Sequence, residues 1–208
     1  MHAEVLPPAQ QACLAGLGPA ANALGFHLAG GTAVALHLGH RRSVDFDWFT
    51  QSFPVAAVEL AEEFRGRGVT IDVSSVADRT LHGVVSGVRT TFLEFRPGLI
   101  APLVPWPEYG CRLASLEDLA ALKLLAVAQR GTRKDFFDVH ALGARFELAE
   151  MLEFYRRKFA VADVGRVVAG LAYFDDAESD PQPSMLVSTS WDDVKDQLRD
   201  RVRRFAHG

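Results

Sequence analysis

Asp45 and Asp47 stand two residues apart in the otherwise apolar stretch "SVDFDWF". Alternation along an extended strand puts both carboxylates on one face, roughly 6 to 7 Å apart at the backbone, close enough to share a hard divalent cation. Mg²⁺ prefers a few carboxylates plus substrate phosphates to an all-protein cage, so the pair suits phosphoryl or nucleotidyl transfer with Mg²⁺ or Mn²⁺. A pair of this kind also occurs on the solvated face of an edge strand, and its neighbours must decide between the two.

Upstream, Gly30-Gly31-Thr32 opens an apolar helix. Glycines at a strand-to-helix junction let backbone N–H groups approach an anion, and the helix N-terminus favours negative charge. Thr32 adds a hydroxyl. The order of a Walker A loop is absent, as is the dinucleotide fingerprint, so the glycines and the paired acids work as one site or not at all. Between them His40, Arg41 and Arg42 are bunched beside Ser43, suited to a phosphate or to ion pairs with nearby acids.

A second cluster lies downstream. Lys123 and Arg130 are two helical turns apart and share a face. The run "RGTRKDFFDV" then presents Arg130, Arg133, Lys134, Asp135 and Asp138. The cations can hold a triphosphate while the acids keep them in register; the plain alternative is a charged turn between helices.

The elements that must position these residues change character along the chain. "AQQACLAGLGPAANALG" reads as helix divided at Gly18-Pro19, "FHLAGG" as a short extended entry, and "TAVALHLGH" as a helix stopping near Gly39. "SVDFDWF" alternates, with Val44, Phe46 and Trp48 on one side and the acids and Phe49 on the other. Pro54 to Arg65 is expected to be a helix, and "GVTIDVSS", "HGVVSGV" and "RTTFLEF" are strands of a mixed or antiparallel sheet. Residues 101–110, rich in proline, read as a connection between a sheet lobe over 1–100 and a helical lobe over 111–208. Ser115 with Asp118, and Ser190 with Asp193, have capping-box spacing at two helix starts. The fold class is α+β.

At 208 residues the chain can bury a real core. Lys plus Arg number 22 against 26 for Asp plus Glu, a net charge of -4, so any polyanion must be met locally. Cys13 and Cys111 are too few for a disulfide framework or a zinc knuckle, and the scattered histidines match no zinc spacing. Neither a signal peptide nor an apolar run of about 18 residues is present, so a cytoplasmic protein without membrane contact is expected.

Taken together, "LAGGTAVALHLGHRRSVDFDWF", "RLASLEDLAALKL" and "RGTRKDFFDVHAL" resemble the nucleotidyltransferase family that includes the AbiEii toxins of type IV toxin-antitoxin systems. The resemblance spans about Phe26 to Leu142 and continues through "YFDD" and "SWDDVK". It implies a polymerase-beta-like nucleotidyltransferase fold with a helical extension and nucleotide transfer from a nucleoside triphosphate. Transfer RNA is an acceptor for some members, and an antitoxin protein is an implied partner. By the same resemblance Gly30, Gly31 and Thr32 form the glycine-rich start, and Asp45 and Asp47 the metal pair. Lys123 is then the helical lysine, Arg130 its partner, and Arg133 or Lys134 with Asp135 and Asp138 the basic-acidic motif.

One departure stands out. Many nucleotidyltransferases carry a third carboxylate on a later central strand, as the base for the attacking hydroxyl. "VRTTFLEF" has Thr90 and Thr91 there, leaving Glu94, reachable only through a bulge, or Asp72 on another strand as substitutes. Two rivals therefore stay open: a nucleotide-sensing or partner-binding domain without turnover, and a transferase acting on an aminoglycoside-like hydroxyl.

Overall fold

The computed structural model describes residues 1–207. Seven short strands form its frame: β1 (His27–Ala29), β2 (Phe46–Thr50), β3 (Asp72–Ala77), β4 (Thr80–Val85), β5 (Val88–Glu94), β6 (Val104–Trp106) and β7 (Cys111–Leu113). They make one mixed sheet in the order β3-β4-β5-β2-β1-β7-β6. β2 runs antiparallel to β1 and parallel to β5, and β1 runs parallel to β7. The helices are α1 (Pro8–Ala23), α2 (Gly30–Leu38), α3 (Leu60–Arg65), α4 (Leu116–Gln129), α5 (Arg133–Leu142), α6 (Leu148–Phe159), α7 (Gly165–Leu171) and α8 (Trp191–His207).

Alternation gives the sheet two unlike faces. On β2, Phe46 and Trp48 are fully buried while Asp47 and Phe49 between and after them are half-buried; on β5, Thr90 and Phe92 point inward and Arg89, Thr91 and Leu93 outward. The closed face is an aromatic core in which Phe92 lies 5.3 Å from Phe26 and 4.6 Å from Phe64, ring centre to ring centre. The polar side chains of β2 and β5 thus stand on a floor that cannot shift without opening this core. α2 packs against β1 and β2 on one side and α4 and α5 on the other, so it joins sheet to helices.

Four local expectations change. α1 continues through Gly18 and Pro19, because both sit against the turn at Tyr109 and Gly110, where a side chain on Gly110 would begin 2.9 Å from Pro19 Cγ. Packing there outweighs the backbone bond that an internal proline loses. The helix expected from Pro54 begins only at Leu60, since its early apolar residue Val58 is 72% exposed and the buried side chains are Ala57, Leu60 and Phe64. β2 starts at Phe46, leaving Val44 exposed and Asp45 in the approach to the strand. The segment 101–110 contributes β6, and β7 follows it into the same sheet, so the sheet runs past residue 100. Pro105 is tolerated because β6 is an edge strand.

The capping signals at Ser115 and Ser190 are realised: Ser115 Oγ accepts from the Asp118 N–H at 3.0 Å, and Ser190 Oγ from the Asp193 N–H at 3.1 Å. No helix among the described residues is long and apolar enough to cross a membrane. Because Phe92 anchors the floor of the open face, Phe92→Ala is expected to cost about 3–5 kcal/mol. A urea unfolding curve with an unchanged midpoint would show that the aromatic cluster does not carry this load.

Candidate functional site

The side chains singled out above converge where α2 meets α4 and α5. Asp138, on α5, is fully buried and shared by three partners. Arg41 donates to it through Nε to Oδ1 at 2.7 Å and through Nη2 to Oδ2 at 2.9 Å. His40 Nε2 lies 2.8 Å from Oδ1, and Lys123 Nζ 2.7 Å from Oδ2. Lys123 also donates to Asp135 Oδ1 at 2.9 Å, and Thr132 Oγ1 to Asp135 Oδ2 at 2.5 Å.

Burial alone would raise the Asp138 carboxyl, but Lys123, Arg41 and the His40 contact override it and hold the group well below the usual carboxylate range. Asp135 is lowered in the same way, its burial outweighed chiefly by Lys123. Burial likewise disfavours the charged forms of Lys123 and Arg41, and Asp138 more than restores them, so both bases are raised. Two cations and two anions therefore sit together in the interior as a neutral, mutually satisfied set.

The glycines bring the α2 backbone onto this set. Gly30 has φ 63, the left-handed region, and a side chain there would fall on the Asp47 carboxylate. A side chain on Gly31 would begin 2.5 Å from Arg41 Nη2 and 3.5 Å from Lys123 Nζ. No side chain caps the first turn of α2, so its leading N–H groups open toward the same space. Thr32 is 1% exposed, and its hydroxyl is engaged internally, 2.7 Å from Ser43 Oγ and donating to the Asp45 carbonyl. That bond fixes the approach of Asp45 to β2, a different task from the phosphate contact its position suggests.

Gly30, Gly31, Thr32, Arg41 and Lys123 help to line a cleft of about 770 Å³, large enough for a nucleotide. Gly30, Gly31, Asp45, Asp47 and Thr91 form its floor, and Arg130 and Lys134 reach in from the helical side. Arg130 is mostly exposed, with Nε 3.5 Å from Asp135 Oδ2. Arg133, the alternative to Lys134 in the sequence, turns away: its guanidinium donates to the Ala177 and Glu178 carbonyls and lies over Trp191. Burial, reinforced by Asp45, raises the Asp47 carboxyl despite the opposing charge of Lys123.

Thr91 pairs in register with Asp47, which puts it at the position where a third acid was sought. Neither substitute reaches it. Glu94 accepts from Arg79 Nη1 and Arg96 Nε at 3.0 Å each and from the Phe53 N–H at 3.2 Å, while Asp72 is on β3, three strands from β2. Among the described residues no group of three or more histidine, cysteine or acidic side chains is gathered as a ready metal cage.

Two features escape a sequence reading. Arg89 Nε donates to Asp45 Oδ1 at 2.8 Å across 44 residues of chain. A strap from Asp180 to Ser184 walls one side of the cleft and is tied down by the Arg42 N–H on the Ser184 carbonyl at 2.8 Å. The second half of "DDAESDPQPSM" offers only loop composition, with nothing to signal that contact.

A mixed sheet bearing this glycine-led helix, followed by helices that complete the cleft, is the polymerase-beta-like nucleotidyltransferase fold. JHP933 from Helicobacter pylori shares it, with a TM-score of 0.59 at 18% identity over 96% of this chain and 89% of that one. So does MenT4, a nucleotidyltransferase toxin from Mycobacterium tuberculosis, with a TM-score of 0.62 at 13% identity over 93% and 81%. An uncharacterized protein of Aquifex aeolicus is 29% identical over 183 residues, covering 86% of this chain and 87% of its own. Residues 56–206 match the model of the nucleotidyl transferase AbiEii toxin family of type IV toxin-antitoxin systems, and the chain belongs to that family.

Removing the charge of Asp138 leaves Arg41 and Lys123 underpaired in the interior, so Asp138→Asn is expected to cost about 3–5 kcal/mol at neutral pH. Because the folded carboxyl is depressed, its contribution is fully present above the unfolded value of about 3.9 and is lost as pH falls through the lower folded value. Denaturant curves of both proteins across acid pH should therefore converge; a gap that stays constant would contradict this assignment.

Proposed function

We propose that the cleft binds a nucleoside triphosphate with Mg²⁺ or Mn²⁺ and transfers its nucleoside monophosphate to an acceptor hydroxyl, as a toxin-type enzyme. The observation that carries this reading is the first turn of α2, where Gly30 lies against Asp47 and Gly31 against the Arg41–Lys123 cations. An anion-favouring helix terminus, a carboxylate pair and the cationic ends of the buried ion-pair set thereby share one wall. Membership of a nucleotidyl transferase toxin family supports the same chemistry.

In this account the N–H groups of Gly31 and Thr32 hold the outer phosphates. Arg130 and Lys134 balance their charge from the open side, and Lys123 supplies positive potential from behind Gly31 while Asp135 and Asp138 keep it in place. Asp45 and Asp47 fit Mg²⁺ as a donor pair, hard carboxylates beside a space that substrate phosphates would complete. The ion, when bound, would neutralise charge at the α-phosphate and lower the pKa of the acceptor hydroxyl. Arg89 must first leave Asp45. RNA is the acceptor class we favour, with an antitoxin protein as the regulating partner and the cytoplasm as the site of action.

A second reading, a nucleotide-sensing domain without turnover, is favoured by Thr91 in place of an acid and by the Arg89–Asp45 pair. Incubation with alpha-labelled nucleoside triphosphates, Mg²⁺ and total RNA separates the two. Label should reach RNA with the natural protein and fall by about 10³-fold in Asp45→Asn/Asp47→Asn and on chelation of the metal. Transfer that survives both treatments contradicts the proposal, whereas metal-dependent nucleotide binding without transfer supports the sensing reading. Since the Asp47 carboxyl is raised, proton competition should weaken Mg²⁺-dependent nucleotide binding at a higher pH than an ordinary aspartate would require.

A further inference from the structure

On the open face of the sheet three polar side chains stand abreast. Asp47 of β2 pairs in register with Thr91 of β5, and Thr91 pairs with His82 of β4. Neighbouring strands lie about 4.8 Å apart, so His82 is about 10 Å from Asp47 along the row, with Thr91 between them. His82 Nδ1 is 3.1 Å from Thr91 Oγ1. Thr91 lines the cleft, and His82 stands exposed just beyond its rim.

The attacking hydroxyl must lose a proton, and the carboxylates near this position are committed. Asp45 and Asp47 are the metal donors of the proposed reaction, and Glu94 is held by Arg79, Arg96 and the Phe53 N–H. Imidazole is the side chain suited to accepting a proton near neutral pH. Exposure lets it pass that proton to water.

We propose that His82, acting through the Thr91 hydroxyl, is the proton acceptor of the transfer reaction, in the place of a third carboxylate. The inference rests on the nucleotidyl-transfer reading of the cleft. The acceptor oxygen bonds the α-phosphorus as the bond from that phosphorus to the pyrophosphate oxygen breaks, its electron pair leaving with pyrophosphate. The acceptor proton passes to Thr91 Oγ1 while the Thr91 hydroxyl proton passes to His82 Nδ1. The resulting imidazolium then gives up its proton to solvent. The groups facing His82 are Asp72 and Ser75 on β3, Thr80 and Val84 on its own strand, and Arg89, Thr91 and Leu93 on β5. Asp72 and Arg89 are the charged ones, of opposite sign and paired in register with Val84 from either side, so they offset one another beside the imidazolium.

The test measures pH–rate profiles for label transfer from alpha-labelled triphosphate to RNA, with Mg²⁺ present, alongside Mg²⁺-dependent nucleotide affinity. The rate of the natural protein should rise with pH. His82→Gln should lose about 10²–10⁴-fold in rate and lose that rising limb, with nucleotide affinity unchanged. Adding Thr91→Glu to His82→Gln should restore much of the rate and move the limb to carboxylate pH. A His82→Gln profile of natural shape overturns the proposal, as does a rate loss accompanied by an equal loss of nucleotide affinity. Transfer absent from the natural protein while nucleotide still binds overturns the transfer reading, and this proposal with it. That outcome differs from the variant-specific failures.

Discussion

One buried carboxylate ties the two halves of this protein together. Asp138 comes from the helical region, and Arg41 and His40 come from the loop between α2 and β2. Lys123 joins them from a third element, α4. Taking these charges out of water costs several kcal/mol per ion, a penalty offset only because each oxygen of Asp138 is met by more than one partner. Removing any member strands the others, so α2, α4 and α5 behave as one unit around this point.

That constraint dictates the chemistry of the wall in front of it. With Arg41 and Lys123 packed against the α2 backbone, only glycine fits at position 31, and the left-handed turn needed to enter the helix calls for glycine at 30. The same absence of side chains that makes room for the cations leaves the first backbone N–H groups of α2 uncovered. In the proposed function the buried cations and these dipoles act on the same phosphates, while Arg130 and Lys134 remain at the rim where they can move with the substrate. Opposite them the alternation of β2, enforced by Phe46 and Trp48 beneath, holds Asp47 on the open face.

The parts of the fold governed by short-range pattern were readable from sequence: the glycine-led helix, the Ser115 and Ser190 caps, and the strands with alternating apolar residues. Tertiary packing overruled local propensity at Pro19 and between Pro54 and Leu60, where burial was decided by residues far along the chain. The 101–110 segment misleads because an edge strand tolerates proline, so its composition resembles that of a linker. The site was legible to the same degree. The residue types that line the cleft stood out, yet sequence spacing could not show that Thr32 is spent on Ser43 and Asp45, or that Lys123 faces two acids. Arg89 lies on β5, which pairs with β2, and His82 on β4, one strand further out, so their relation to the paired acids exists only once the sheet order is known.

The central claim is that the first turn of α2 and the paired aspartates together receive a triphosphate. Its most direct test is a crystal structure of the protein with Mg²⁺ and a triphosphate made non-transferable between its α- and β-phosphates. The account predicts the outer phosphates against the Gly31 and Thr32 N–H groups, a metal ion on Asp45 and Asp47, and Arg89 released from Asp45. A triphosphate bound away from the α2 terminus, with the Arg89–Asp45 pair still closed, would contradict it.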